Sequence, residues 1–210
     1  MSPIWQIERL YFTGVPGSRW SGIAQTLEQL PGFNTSDRTP ERTYDHHKYS
    51  GHKGAYFGRG MEFPADLDRK MIDSAWQIPG GVRVVKSHDW AYDLPGLYQQ
   101  LQHDERLMLV YRPDMTSFAW WHEAGGFQIE YPSYTWYENS QKMLAEIQIQ
   151  NRLILEFGYD IGATWHHFTS DWIKENFKKD DVVVVLLHDS GSRYIGKMYN
   201  DDWMREKGFL

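Results

Sequence analysis

Apolar positions along the chain follow two periods, one typical of strands and the other typical of helices. Branched and aromatic runs predict four strands, at residues 4–13, 82–86, 106–111 and 182–187. Apolar residues at helical spacing predict helices at residues 18–30, 64–76, 94–102, 138–156 and 171–177, with one more after Pro113 that holds residues 117–121. The alternation of strands and helices predicts a three-layer α/β sandwich, in which helices flank a central parallel sheet.

The length of 210 residues suits one domain, so we expect residues 1–210 to form a single unit. Residues 33–63 are the least regular part of the chain, with glycines scattered among polar and aromatic residues. We interpret this segment as a long loop or lid, because its aromatic side chains give it something to pack with.

Composition and charge narrow the classes of function. The chain has no cysteine, which excludes a disulfide framework, a cysteine zinc site and a thiol nucleophile. No leader sequence and no membrane-spanning apolar run is recognisable, so we expect a soluble, cytoplasmic protein. A net charge of -6 argues against a broad nucleic-acid surface but permits a small anion pocket.

The chain is rich in aromatic residues, with 10 Trp, 13 Tyr and 10 Phe. Large rings fill a core in most proteins, but some could instead stack on a base or a sugar. The candidates for stacking are Trp20, Trp90, Trp120 and Trp121.

Three histidines of the long loop, His46, His47 and His52, suggest a metal site. Adjacent histidines point apart in an extended chain, however, and no carboxylate spacing completes a ligand set. We therefore predict no metal centre. The basic residues Lys48, Lys53 and Arg59 of the same loop could instead recognise an acidic or sugar acceptor, and a merely solvated loop explains them as well.

Residues 14–21, with the sequence GVPGSRWS, join the first predicted strand to the first predicted helix and are termed here the glycine loop. Small residues at this place let backbone N–H groups and the helix N-terminus surround an anion. An ordinary turn with a serine cap explains the same residues without a ligand. The loop lacks the lysine of the Walker A pattern, which argues against an ordinary ATPase or kinase.

Polar residues also follow the next two predicted strands. Lys86 and His88 end the second strand, where a histidine of near-neutral pKa suits a general base and a lysine suits an anion. Arg112 and Ser117 follow the third strand and could clamp a phosphate. The simpler interpretations are a structural histidine and an ion pair between Arg112 and Asp114. Because ligands bind at the carboxyl ends of parallel strands, we expect the three clusters to converge.

These three clusters resemble motifs of the sulfotransferases that use 3'-phosphoadenosine 5'-phosphosulfate (PAPS), both in their order along the chain and in the strands that separate them. The resemblance covers about residues 8–190. Residues 16–18 (PGS) are similar to the loop that grips the 5'-phosphosulfate in that family. Residues 86–88 (KSH), with a Leu-Pro pair downstream, resemble its Lys-Thr/Ser-His segment. Residues 112–113 (RP) with Ser117 resemble the segment that holds the 3'-phosphate.

The resemblance implies a P-loop NTPase-like fold, PAPS as cofactor, a small-molecule or carbohydrate acceptor, and a monomer or homodimer. It implies catalytic roles for His88, Lys86 and Arg19. The implied cofactor-binding residues are Pro16, Gly17, Ser18, Arg19, Trp20, Ser21, Arg112, Ser117 and Arg193.

One position departs from the family. Gly17 stands where family members usually carry Lys or Arg, and Arg19 could substitute for that charge. Gly17 keeps a second function open, a non-catalytic nucleotide-binding module. A P-loop nucleotide kinase or NTPase, which shares the architecture but would need the missing loop lysine, is the other alternative.

Overall fold

The computed structural model describes residues 7–40, 43–45, 53–55, 67–128, 134–163, 165–167, 184–186 and 205. The strands are β1 (Arg9–Gly14), β2 (Thr43–Asp45), β3 (Lys53–Ala55), β4 (Arg83–Lys86), β5 (Glu105–Tyr111), β6 (Trp165–His167) and β7 (Val184–Leu186). The helices are α1 (Trp20–Leu27), α2 (Arg69–Asp73), α3 (Leu94–Gln100), α4 (Asp114–Glu123) and α5 (Ser140–Asp160). Short 3-10 helices span Asp89–Asp93, Gly126–Gln128 and Thr135–Tyr137.

Five strands form one sheet in the order β4-β1-β5-β7-β6, and each neighbouring pair is parallel. The remaining strands, β2 and β3, pair antiparallel with each other. The predicted α/β class with a parallel central sheet is therefore confirmed.

Side chains of β1 alternate between the two faces of the sheet, as the pleat requires. Leu10 and Phe12 pack in one apolar cluster with Ile23 of α1. Tyr11 points to the other face and packs in a second cluster with Ile147 of α5. Helices therefore cover both faces of the sheet, and β1 is buried along its whole length.

Predicted and observed elements agree in place and differ at their ends. Helix α1 begins at Trp20 rather than at residue 18, because Arg19 adopts a left-handed backbone conformation that a helix cannot include. Helix α2 begins after Asp68, whose carboxylate accepts the backbone N–H groups of Lys70 and Met71. Helix α5 runs four residues beyond the predicted end at residue 156, since Phe157 is still buried against the core.

Some predictions fail or lie outside the described residues. Strand β6 was not predicted, because three residues with the sequence WHH show no apolar pattern. The predicted loop at 33–63 contains the short strands β2 and β3. The predicted helix at 171–177 and the histidines at 46, 47 and 52 lie outside the described residues.

In the part of the chain that the structure describes, no helix has the length and apolar character needed to cross a membrane. Within the same residues, no group of three potential ligands from His, Cys, Asp and Glu could hold a metal ion.

A partly buried network of charges connects the amino ends of the central strands. Arg9 of β1 donates to both carboxylate oxygens of Asp73, at 2.9 and 2.6 Å, and Arg83 of β4 donates to the same group at 2.8 Å. Glu105 of β5 accepts from Arg9 at 3.2 Å and from Arg69 at 2.8 and 2.7 Å. These carboxylates give three arginines ionic partners at the end of the sheet opposite the candidate site.

We expect Glu105→Gln to lower the free energy of unfolding at pH 7 by about 3 kcal/mol, because the buried guanidinium groups lose an ionic partner. Burial by itself raises the pKa of Glu105, but hydrogen bonds from Arg69, the Gln102 backbone and Tyr11 hold the pKa below its usual value. The charge therefore stabilises the fold above the unfolded-state pKa, and this stabilisation is lost as the pH falls through the folded-state value. Urea titrations at several pH values should show the gap between variant and wild type closing in acid.

The matched control is Glu8→Gln, since Glu8 lies 3.6 Å from Arg9 and its side chain is 55% exposed. This change should cost less than about 0.5 kcal/mol. Equal losses for both variants would contradict the importance of the buried network.

Candidate functional site

The order of the strands creates a crevice between β1 and β5. After β1 the chain crosses to β4 on one side, and after β5 it continues to β6 and β7 on the other side. Connections that leave neighbouring strands in opposite directions open a crevice at the carboxyl ends, which is the usual ligand site in such sheets. The glycine loop follows β1 and Arg112 follows β5, so both border this crevice.

The glycine loop lies directly on the first turns of α4. Gly17 has φ 76°, and a Cβ at this position would be 1.9 Å from the backbone oxygen of Ser117. Arg112 Nη1 donates to the backbone oxygen of Gly17 at 3.1 Å. The loop after β1 and the segment after β5 are therefore in contact, as the sequence predicted.

A second glycine brings the loop close to the strands. A Cβ on Gly14 would be 2.9 Å from Ser18 Oγ and 3.0 Å from the Cβ of Val110 in β5. The hydroxyls of Ser18 and Thr13 are fully buried, and neither has a hydrogen-bond partner among the described residues. Buried hydroxyls normally have a hydrogen-bond partner, so these two are candidate donors to a ligand or to a water molecule.

His88 joins the second cluster to the glycine loop. Its ring lies 4.4 Å from the ring of Trp20, centroid to centroid, and hydrogen-bonds to the backbone of Gly14. Burial lowers the pKa of His88 to about 4, against the weaker effects of this hydrogen bond and of the Asp89 and Glu146 charges. The imidazole is therefore neutral near pH 7 and has a nitrogen lone pair that can take a proton.

Trp20 contributes packing to this arrangement. Its side chain is buried between His88 and Phe12, whose ring centroid is 6.2 Å away. This placement favours holding the imidazole in position over stacking on a base. Trp90, another stacking candidate, is 2% exposed and packs edge-on against Tyr11 at 5.1 Å.

Lys86 ends β4 and is 3% exposed. It lies on the same face of the strand as Val84, which packs in the cluster with α1. On that side a carboxylate that the sequence did not single out, Asp37, interacts electrostatically with Lys86. Lys86 is therefore a buried cation at the same sheet edge as the glycine loop.

Asp37 is itself 1% exposed, and its Oδ2 lies 3.5 Å from Nε of Arg38. Burial raises the pKa of Asp37, opposed by the Arg38 and Lys86 charges and reinforced by the Glu28 charge. No sequence signal could reveal this residue, because it lies in an irregular segment with no motif around it. A buried carboxylate with a perturbed pKa near candidate catalytic groups is a common feature of functional sites.

Polar contacts hold the segment after β5. The hydroxyl of Ser117 donates to the backbone oxygen of Arg112 at 3.1 Å, and Asn151 of α5 donates to the same oxygen at 2.8 Å. Asn151 also donates to Asp114 at 2.6 Å. In this structure Ser117 therefore helps to fix the backbone of Arg112, and its contact with a phosphate stays a prediction.

Most residues that the sequence singled out meet at this edge of the sheet. Pro16 and Ser18 are buried in the glycine loop, Ser21 is half-buried in the first turn of α1, and Arg19 is exposed between them. Arg193 lies outside the described residues, so its predicted role stays open.

We expect Gly17→Lys, which introduces the basic residue usual at this position in the family that the motifs resemble, to disrupt the site. The added Cβ would meet the Ser117 oxygen at 1.9 Å, and the left-handed backbone would strain any side chain. The thermal midpoint of Gly17→Lys should therefore fall below that of wild type. Gly22→Ala is the control, because a Cβ there meets nothing within 4 Å. A Gly17→Lys protein as stable as wild type would contradict this close contact.

We expect Asp37→Asn to raise the free energy of unfolding at pH 7 by about 1 kcal/mol, because a buried charge is removed. The raised pKa means that the folded state holds the proton more tightly than the unfolded state. The free-energy cost of burying the charged Asp37 carboxylate is therefore absent below its unfolded-state pKa. This cost grows as the pH rises towards the folded-state pKa of Asp37. Urea titrations at pH 7 and at about pH 4 should show the gain only at pH 7, whereas exposed Asp160→Asn should change little at either pH. A loss of stability in Asp37→Asn would show that the Lys86 and Arg38 charges outweigh burial.

Comparisons with known proteins identify no relative of this chain. The chain matches no family model, no curated protein and no solved structure.

Proposed function

We propose that this protein is a sulfotransferase that moves a sulfuryl group from PAPS to a hydroxyl or amine acceptor. The observation that carries the proposal is the contact between Arg112 and the glycine loop, at 3.1 Å from Nη1 to the Gly17 oxygen. The cation expected at the 3'-phosphate thus lies against the loop expected at the 5'-phosphosulfate. A single nucleotide that carries phosphate groups on both its 3' and its 5' ribose carbon suits this pair of neighbouring elements.

The surroundings of the glycine loop fit such a ligand. Thr13 and Ser18 supply buried hydroxyl donors, and the N-terminus of the eight-residue helix α1 supplies backbone N–H groups. Lys86 and Arg112 are both buried cations at the same edge of the sheet. We also propose a P-loop NTPase-like fold, since the loop joins a central strand of a parallel sheet to a helix packed on that sheet.

When bound, PAPS would supply the sulfuryl group, which passes to the acceptor as its bond to the 5'-phosphate breaks and adenosine 3',5'-bisphosphate leaves. Transfers of this kind have loose transition states, so positioning and charge stabilisation dominate catalysis. Lys86, Arg19 and the loop N–H groups would stabilise the charge that grows on the 5'-phosphate. Arg112 would hold the 3'-phosphate and so fix the position of the nucleotide in the crevice.

His88 would take the proton of the acceptor. Burial lowers the pKa of His88 to about 4, so the imidazole is neutral at physiological pH but is a weak base on its own. A bound anion raises the pKa of a nearby imidazole, so the nucleotide itself would make His88 a stronger base. Proton transfer would then be favoured only while the nucleotide is in the crevice.

The test is a calorimetric titration of adenosine 3',5'-bisphosphate into wild type, Arg112→Ala and the control Arg152→Ala, with AMP as the comparison ligand. Arg152 is a suitable control because its side chain on α5 is 66% exposed. Arg112→Ala should weaken bisphosphate binding roughly tenfold or more, the effect of removing a charged hydrogen bond. AMP binding should change little, because AMP has no 3'-phosphate.

Other outcomes separate the competing functions. Equal losses for the bisphosphate and AMP would indicate a damaged loop rather than a lost phosphate contact. Preference of the wild type for magnesium-ATP would favour a nucleotide kinase or NTPase. Failure of the wild type to bind any of these nucleotides would refute the proposal.

A non-catalytic nucleotide-binding module is the second candidate, and Gly17 is the observation that favours it. Its contact with Ser117 leaves no room for the basic side chain that family members usually carry there. Release of adenosine 3',5'-bisphosphate from PAPS, measured over a panel of acceptors with His88→Ala as control, distinguishes the two. Binding without turnover on any acceptor would support the module.

A further inference from the structure

Trp120 in α4 lies against two guanidinium groups that come from different loops. The central carbon of the Arg19 guanidinium is 4.6 Å from the centroid of the Trp120 ring, and that of Arg112 is 6.0 Å away. Both distances fall within the range of cation–π attraction, for which Trp is the best partner. The indole therefore connects the glycine loop to the segment after β5.

Arg19 has an unusual backbone. With φ 66° it is the one non-glycine residue of positive φ among the described residues. This left-handed conformation is costly for a long side chain, and such strain persists where surrounding contacts enforce it. The Trp120 ring provides one such contact, and it directs the Arg19 side chain towards α4.

The chemistry of the indole suits a site for an anionic ligand. Two guanidinium groups near each other repel, and carboxylates commonly hold such groups together. A carboxylate in the crevice would also repel phosphate and sulfate. The face of an aromatic ring attracts both cations and adds no net negative charge.

We propose that Trp120 is a positioning residue that holds the Arg19 and Arg112 guanidinium groups together for a nucleotide with phosphates at both ends of its ribose. This inference rests on the proposed function and deepens it. Arg19 then serves the 5'-phosphate side and Arg112 the 3'-phosphate side, with the indole setting the geometry of the two.

A double-mutant cycle tests this role, because it measures whether two side chains act through each other. The proteins are wild type, Trp120→Leu, Arg19→Gly and the double variant, and the probe is adenosine 3',5'-bisphosphate by calorimetry. Glycine at position 19 removes the guanidinium without straining the left-handed backbone. Each single variant should bind roughly fivefold to tenfold more weakly than wild type, within the range of cation–π energies. The double variant should bind about as weakly as Trp120→Leu alone, because without the indole the removal of Arg19 costs little more.

Two further variants separate positioning from loss of structure. Trp120→Phe keeps an aromatic face and should retain most of the wild-type affinity. Trp136→Leu removes another half-buried indole, which stacks on Tyr134 at 4.2 Å, and should leave affinity unchanged. Thermal midpoints of all variants show whether any of them has lost its fold.

Losses that multiply in the double variant would overturn the inference and would indicate direct contact of the indole with the ligand. Unchanged affinity in Trp120→Leu would also overturn it, while leaving the proposed function intact. Wild type that does not bind the bisphosphate would refute the proposed function itself, and this inference with it.

Discussion

The contact between Gly17 and the backbone of Ser117 is the constraint on which the rest of the candidate site depends. Because a Cβ on Gly17 would lie 1.9 Å from the Ser117 oxygen, the glycine loop can rest on α4 only without a side chain at that point. The same approach brings the Gly17 oxygen within 3.1 Å of Arg112. Residues that are almost a hundred positions apart in the chain thus form one site, and the pairing of β1 with β5 supports it.

The two ends of the sheet use buried charge in different ways. At the amino ends, Glu105 and Asp73 accept hydrogen bonds from arginines, so each charge has an ionic partner and the network serves stability. At the carboxyl ends, Arg112 donates to the backbone oxygen of Gly17 and lies 6.0 Å from the Trp120 ring, while Lys86 interacts with the buried carboxylate of Asp37. The Arg112 guanidinium therefore joins two loops at the edge of the sheet where ligands usually bind.

The sequence predicts the elements of this fold better than their arrangement. The apolar runs of β4 and β5 and the helical spacing of α5 are local patterns, and the structure confirms them. The order of the strands depends on how connections cross the sheet, which no local pattern encodes. The meeting of His88 with the glycine loop follows from the general rule for parallel sheets, and Asp37 beside Lys86 depends on an irregular segment that no rule covers.

Gly17 shows why a departure from a motif needs its three-dimensional setting. From sequence alone, a missing basic residue suggests a lost activity. In the structure, the glycine permits a closer approach of the loop to α4, and the next side chain beyond Ser18 is an arginine in a strained, left-handed conformation. A strained arginine is costly to keep unless its guanidinium does work that a relaxed residue could not do. Arg19 thus places a guanidinium two residues beyond Gly17 and 4.6 Å from the centroid of the Trp120 ring, in a loop whose close packing on α4 requires glycine at position 17.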